Sequence, residues 1–163
     1  MSNKAIFLDR DGVLINNNDH YYIWKKEQVI FIDGVFDNLK KLSDLGFQLF
    51  IVSNQGGISK GQYTKDDSIA LHEELIKVFL SKEIHITDIA FCPHHSAIEN
   101  CLCRKPEPLM IEKLIAKYKI DKIGSFMIGD NITDMEAACN AGIEGIKITP
   151  NQNMYPFISF LFR

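Results

Sequence analysis

Two aspartates one residue apart, in Asp9-Arg10-Asp11-Gly12, directly follow the apolar run Ala5–Leu8. Carboxylates at i and i+2 around a strand end can divide their labour: one attacks an electrophilic phosphorus, the other handles a proton. An isolated Asp-x-Asp-Gly is also an ordinary solvated turn, because turns favour these residue types. Three other places in the chain change its weight. Gly129-Asp130-Asn131-Ile132-Thr133-Asp134 sets two carboxylates four residues apart behind another apolar run. They could complete an oxygen-rich Mg²⁺ site, although Asp134 alone would also serve as the acidic charge of a helix N-terminus. Ser53-Asn54-Gln55 offers a hydroxyl and free backbone amides that can cradle a phosphate. Arg104-Lys105-Pro106 places two cations just before a helix, whose dipole also favours anions.

The cysteines point to different chemistry. Three of the four crowd into Cys92-Pro93-His94 and, six residues later, Cys101-Leu102-Cys103. Cys92, His94, Cys101 and Cys103 make a Cys₃His set suited to tetrahedral Zn²⁺, and with all four ligands supplied by protein the site would be closed and structural. His95 competes with His94 as a ligand, but the Cys-x-His spacing favours His94. The loop 92–106 would fold around this ion and end on Arg104-Lys105. Cys139, on an expected helix, reads as a buried core residue.

Alternating elements must position these groups. Ala5–Leu8, 47–52, 86–91, 126–128 and 143–148 read as short strands. Val35, Phe36, Leu39 and Leu42 recur at helical spacing, with a stop at Gly46. Thr64 and Asp67 resemble a capping box for a helix reaching about Leu80. Pro108 suits the first turn of a helix carrying Ile111, Leu114, Ile115 and Tyr118. Thr133 and Glu136 could cap a last helix that stops near Gly142. Such alternation implies a parallel sheet flanked by helices, with ligands beyond the carboxyl ends of the strands. Asp9, Ser53 and Asp130 each follow a strand and would meet at one edge. The apolar stretch 157–162 could pack on this core or on a second subunit.

The chain has 163 residues, 46% hydrophobic and 24% charged, with a formal net charge of −3. That suits one domain over 1–163 and excludes disorder. A mildly acidic chain without a basic stripe is not expected to bind nucleic acid or an anionic membrane. Met1 to Lys4 is polar and no secretory or membrane-spanning segment is expected. Clustered cysteines without an export signal suggest a reducing cytoplasm. The expected partner is a small phosphorylated molecule, and the chain is expected to act as a monomer.

Taken in order, Asp9-x-Asp11, Ser53, Lys105 and Gly129-Asp130-x-x-x-Asp134 resemble the four motifs of the haloacid dehalogenase (HAD) superfamily of phosphotransferases, across about residues 5 to 148. Cys-Pro-His-His with Cys-x-Cys-Arg-Lys-Pro is similar to its capless branch of heptose-bisphosphate and histidinol-phosphate phosphatases. Asn54-Gln55-Gly56-Gly57-Ile58-Ser59-Lys60-Gly61 and Asp19-His20-Tyr21-Tyr22 are nearer the heptose enzymes, as is Phe31-Ile32-Asp33-Gly34-Val35. The resemblance implies a three-layer, Rossmann-like α/β fold with no cap domain and a small zinc-binding loop. It implies Asp9 as nucleophile and Asp11 as acid and base. Mg²⁺ would be held by Asp9, the main-chain carbonyl of Asp11 and Asp130, with Asp134 behind them. Ser53, Asn54, Gln55 and Lys105 would face the phosphoryl group, and Asp19, His20, Tyr22 and Arg104 the rest of the substrate. Asn131 stands where many heptose enzymes carry lysine. Histidinol-phosphate hydrolysis is the alternative on this scaffold. A zinc-stabilised binding module without catalysis is a third reading, opposed by the presence of every candidate catalytic residue.

Overall fold

The computed structural model describes residues 3–162; Met1 and Ser2, at the start of the polar segment 1–4, and Arg163 lie outside them. Five parallel strands, β1 Ala5–Leu8, β2 Gln48–Asn54, β3 Ile86–Cys92, β4 Phe126–Gly129 and β5 Glu144–Lys147, form a sheet in the order β3-β2-β1-β4-β5. The first strand of the chain is therefore the central one, paired with β2 on one side and β4 on the other. A strand covered on both faces has no reason to alternate in polarity, and all four residues of β1 are fully buried.

Helices α1 Val35–Asp44, α2 Lys65–Ser81, α3 Leu109–Tyr118 and α4 Ile132–Ala141 complete three layers. Ile6 and Leu8 of β1 join Leu39 and Leu42 of α1 and Leu71 and Phe79 of α2 in one core. Ala5 and Phe7 join Met110 and Leu114 of α3 and Ala137 and Ala141 of α4 in the other. A short helix, α5 Tyr155–Ile158, and a 3₁₀ turn, Ser159–Phe162, end the described chain. Ile158 lies in the first core, with Phe157, Leu161 and Phe162 packed against it. The apolar tail thus packs on its own core, with Phe160 left half exposed. Among the described residues no helix is long and apolar enough to cross a membrane.

Several expectations need correction. Strand β2 continues to Asn54, so Ser53 belongs to the strand rather than following it. Pro108 occupies the N-cap of α3, one position before the first turn. The box that caps α4 is Asn131 with Asp134, not Thr133 with Glu136: the Asn131 side chain accepts from the Thr133 N–H, and Asp134 accepts from the Asn131 N–H. The reason is that Asn131 still has extended backbone angles, as an N-cap requires, while Thr133 is already inside the helix. Cys139 is exposed rather than buried. The buried stripe of α4 is Asp134, Ala137, Ala138 and Ala141, and Cys139 falls off that helical period.

Candidate active site

Because β1, β2 and β4 run parallel, their carboxyl ends deliver Asp9, Ser53 and Asp130 to one edge of the sheet. There they line a cleft of about 530 Å³ together with Asp11, Arg104 and Lys105. Asp9 is tied to the sheet by its own N–H, which donates to the Ile128 carbonyl at 3.0 Å. Two glycines permit the close approach of the carboxylates. Gly12 has φ +85°, and a Cβ there would overlap Oδ2 of Asp130. A Cβ at Gly129 would overlap the Asp134 side chain. The Gly-Asp-x-x-x-Asp spacing thus folds Asp134 back under the strand end.

Lys105 is the hub. Its Nζ donates to Asp9 Oδ1 at 2.9 Å and to the Val52 carbonyl at 2.7 Å, and pairs with Asp134 Oδ1 at 2.7 Å. Burial works to lower the pKa of this ammonium, but Asp9 and Asp134 outweigh it and hold it above the ordinary lysine value. The main chain of Lys105 is clamped by Asn54, whose Nδ2 donates to its carbonyl and whose Oδ1 accepts from its N–H. Asn54 therefore acts on the lysine. Burial pushes the Asp9 carboxyl up to about 7, reinforced by Asp134 and Asp11 and opposed by Lys105. Asp130 is raised too, by burial first and Asp134 second.

The loop that carries the cysteines packs beside this cleft. Cys92 Sγ lies 3.5 Å from His94 Nδ1, 3.6 Å from Cys101 Sγ and 3.0 Å from Cys103 Sγ, and His94 Nδ1 lies 3.2 Å from Cys103 Sγ. A zinc tetrahedron with Zn–S bonds of about 2.3 Å has edges of roughly 3.7 Å, so this spacing fits the ion. His95 stands apart from the cluster and lines the cleft instead. Burial pushes the Cys92 thiol up. For Cys101 burial acts upward as well, but the N–H groups of Arg104 and Cys103 bring it down to about 7. Arg104 braces the loop by donating Nη1 to the His94 carbonyl at 2.9 Å.

A family model described as HAD-hydrolase-like matches residues 102–153. A D-glycero-β-D-manno-heptose-1,7-bisphosphate 7-phosphatase of Haemophilus influenzae is 39% identical over 147 residues, covering 87% of this chain and 79% of the relative. A D-glycero-α-D-manno-heptose-1,7-bisphosphate 7-phosphatase of Campylobacter jejuni is 41% identical, covering 93% and 85%. The chain belongs to the heptose-bisphosphate phosphatase family of HAD-like hydrolases. Among solved structures, a D,D-heptose 1,7-bisphosphate phosphatase from B. bronchiseptica, in complex with magnesium and phosphate, superposes with a TM-score of 0.83 at 25% identity over 96% of this chain and 86% of that one.

Members of the HAD-like hydrolases are expected to bind a divalent ion, and the donor set fits one. Oxygens of Asp9, Asp130 and Asp134 lie within 4.8 Å of one another. Asp134 has one oxygen on Lys105 and the other on the Asn131 N–H, which leaves Asp9 and Asp130 as the carboxylate donors. A proton on Asp9 competes with the ion. Mg²⁺ affinity should therefore be constant above about pH 7 and fall by about tenfold per pH unit below it. Calorimetric titration from pH 5.5 to 8.5 would show this, and an affinity unchanged across that range would exclude Asp9 as the competing group.

Other expected site residues are distributed unevenly. Tyr22 lines the cleft; Asp19 and His20 are exposed and are not among its lining residues. Gln55 lines it but spends its side chain on protein. Its Nε2 donates to Ser53 Oγ at 2.7 Å and Asp11 Oδ2 at 3.3 Å, and its Oε1 accepts from Tyr63 at 2.6 Å and Arg10 at 3.1 Å. Arg10, Tyr63 and His72 are the residues the sequence reading missed. Burial first, and Arg10 second, hold the His72 imidazole neutral, its pKa down at about 3. The one available signal was an arginine set between two catalytic-type aspartates.

Proposed function

We propose that the chain is a Mg²⁺-dependent phosphatase that removes the 7-phosphate of D-glycero-D-manno-heptose 1,7-bisphosphate through an aspartyl-phosphate. The observation that carries the reading is Asp9 held by Lys105 at the end of the central strand, with the Asp11 carboxylate beside it. A carboxylate oxygen of Asp9 bonds to phosphorus as the bond to the sugar oxygen breaks, and that oxygen leaves with the proton of Asp11. Water then attacks the phosphorus and loses its proton to Asp11. The Asp9–phosphorus bond breaks, orthophosphate departs and both aspartates are restored. Mg²⁺ bound by Asp9, Asp130 and the Asp11 carbonyl supplies the charge that lets one anion approach another. Lys105 and Ser53 hold the phosphoryl oxygens.

Zn²⁺ on Cys92, His94, Cys101 and Cys103 is structural in this proposal and fixes the loop that presents Arg104 and Lys105. Arg104, which lines the cleft and has donors beyond the one Nη1 gives the His94 carbonyl, and the names of the relatives together favour a sugar bisphosphate. The substrate is a small molecule, with no role for nucleic acid or membrane. The tail is spent on its own core, which favours a monomer. Unpaired thiols favour the cytoplasm.

Phosphate release measured across both anomers of the heptose bisphosphate, the heptose monophosphates and histidinol phosphate tests the assignment. One anomer of the bisphosphate should give the highest kcat/KM; a higher value for histidinol phosphate would overturn it. Arg104→Ala should lower kcat/KM for the bisphosphate about ten- to a hundredfold, the worth of one charge-assisted contact. It should change hydrolysis of a simple aryl phosphate much less.

A further inference from the structure

The general acid–base does not stand free in the cleft. Arg10, wholly buried between the two aspartates, grips Asp11 with two parallel bonds, Nε to Oδ1 at 2.8 Å and Nη2 to Oδ2 at 2.9 Å. Both Nη groups also reach fixed acceptors. Nη2 also donates to the Ile23 carbonyl at 2.6 Å and to Gln55 Oε1, and Nη1 donates to Nε2 of His72 at 3.1 Å. His72 is itself buried and sits edge-on to Phe91. A buried guanidinium with this many partners has one orientation, and a bidentate fork transmits that orientation to the carboxylate it holds.

We infer that Arg10, fixed by His72, Gln55 and the Ile23 carbonyl, is a positioning residue that sets the Asp11 carboxylate in its proton-transferring orientation and leaves one lone pair, on Oδ1, to exchange the proton. A carboxylate oxygen has two lone pairs. Those of Oδ2 are engaged by Arg10 Nη2 and Gln55 Nε2, whereas among the described residues Oδ1 accepts only from Arg10 Nε. This inference rests on the aspartyl-phosphate reading, in which Asp11 gives a proton to the leaving oxygen and takes one from water.

The two half-reactions separate positioning from bulk structure. With 4-nitrophenyl phosphate the leaving phenolate needs no proton, so Asp9 can bond to phosphorus and the aryl oxygen depart without Asp11. Hydrolysis of the aspartyl-phosphate still requires Asp11 to take the proton of the attacking water. In Arg10→Met, steady-state turnover should fall about a hundredfold, within the range of lost general acid–base catalysis. A burst of nitrophenolate, one per chain and larger than in the unaltered protein, should precede it. KM should move less than threefold, and guanidinium ion at moderate concentration should restore part of the rate by refilling the site. Where Arg10→Met is too unstable to assay, His72→Asn, which loosens only Nη1, should show the same burst with a smaller fall in rate. Turnover within threefold of the unaltered protein in Arg10→Met would overturn the inference, as would a loss without burst or guanidinium rescue. Phosphate release that survives Asp9→Asn would overturn the aspartyl-phosphate reading, and this inference with it. A dead Asp9→Asn beside an unimpaired Arg10→Met would overturn this inference alone.

Discussion

Asp9→Asn should release phosphate at least about 10⁴-fold more slowly than the unaltered chain, while melting at the same or a higher temperature without metal. The loss follows from what an amide cannot do: it neither attacks phosphorus nor offers an anionic oxygen to Mg²⁺. The stability follows from the surroundings. Asp9 is a buried carboxylate beside Asp134 and Asp11, and burial and repulsion together raise its pKa despite Lys105. Removing that charge relieves both effects. Lys105 keeps Asp134 and the Val52 carbonyl as partners. Steady-state phosphate release at saturating Mg²⁺, with a thermal melt in chelator, measures both arms. Residual turnover within a hundredfold would rule out covalent catalysis by this residue. A large drop in melting temperature would mean that the carboxylate is structural.

The second large effect belongs to the cluster of Cys92, His94, Cys101 and Cys103, the proposed zinc site. Cys101→Ser with Cys103→Ser removes two of four ligands, so bound zinc should fall from about one ion per chain to none. Metal-linked folding energy is lost with it, and a melting temperature lower by roughly 10 °C or more is expected for a chain of this size. Phosphatase activity should fall as well, because Lys105 follows directly on Cys103-Arg104 and its ammonium reaches Asp9 from that loop. Elemental analysis after dialysis, followed by a melt, would decide. Cys139→Ser is the control: that thiol is exposed and outside the cluster, and its loss should change neither quantity. Full zinc content in the double variant would refute the ligand set.

What could be read from the chain and what could not divide along physical lines. The strand ends were legible because a strand buried on both faces is a continuous apolar run, and a polar residue directly behind it must lie at the sheet edge. The Cys92, His94, Cys101, Cys103 cluster was legible because its spacing is local. Arg10 was not, since its partners Ile23, Gln55 and His72 come from a loop, a strand end and a helix that only the fold brings together. Gln55 and Asn54 line the expected cleft, but their side-chain partners were not legible: one ties Ser53 to Asp11, the other clamps Lys105. Asn131, noted as a departure from lysine, caps α4 and locks Asp134 beneath Lys105. Cys139 was misjudged for a simpler reason, because the alanine stripe of α4 already showed which face is inward.

The central position of β1 also has a kinetic consequence. The strand made first pairs with one made late, Ile6 against Phe126, so nearly the whole chain must be looped before the sheet can close. Parallel pairing over such sequence distances makes folding slow. Asp9 and Asp130, carried by the two strands that meet in that closure, are brought together only as it completes. Crowding of their negative charges then opposes the last step. A divalent cation that binds only the closed form holds it shut, and so acts by slowing unfolding more than by hastening folding.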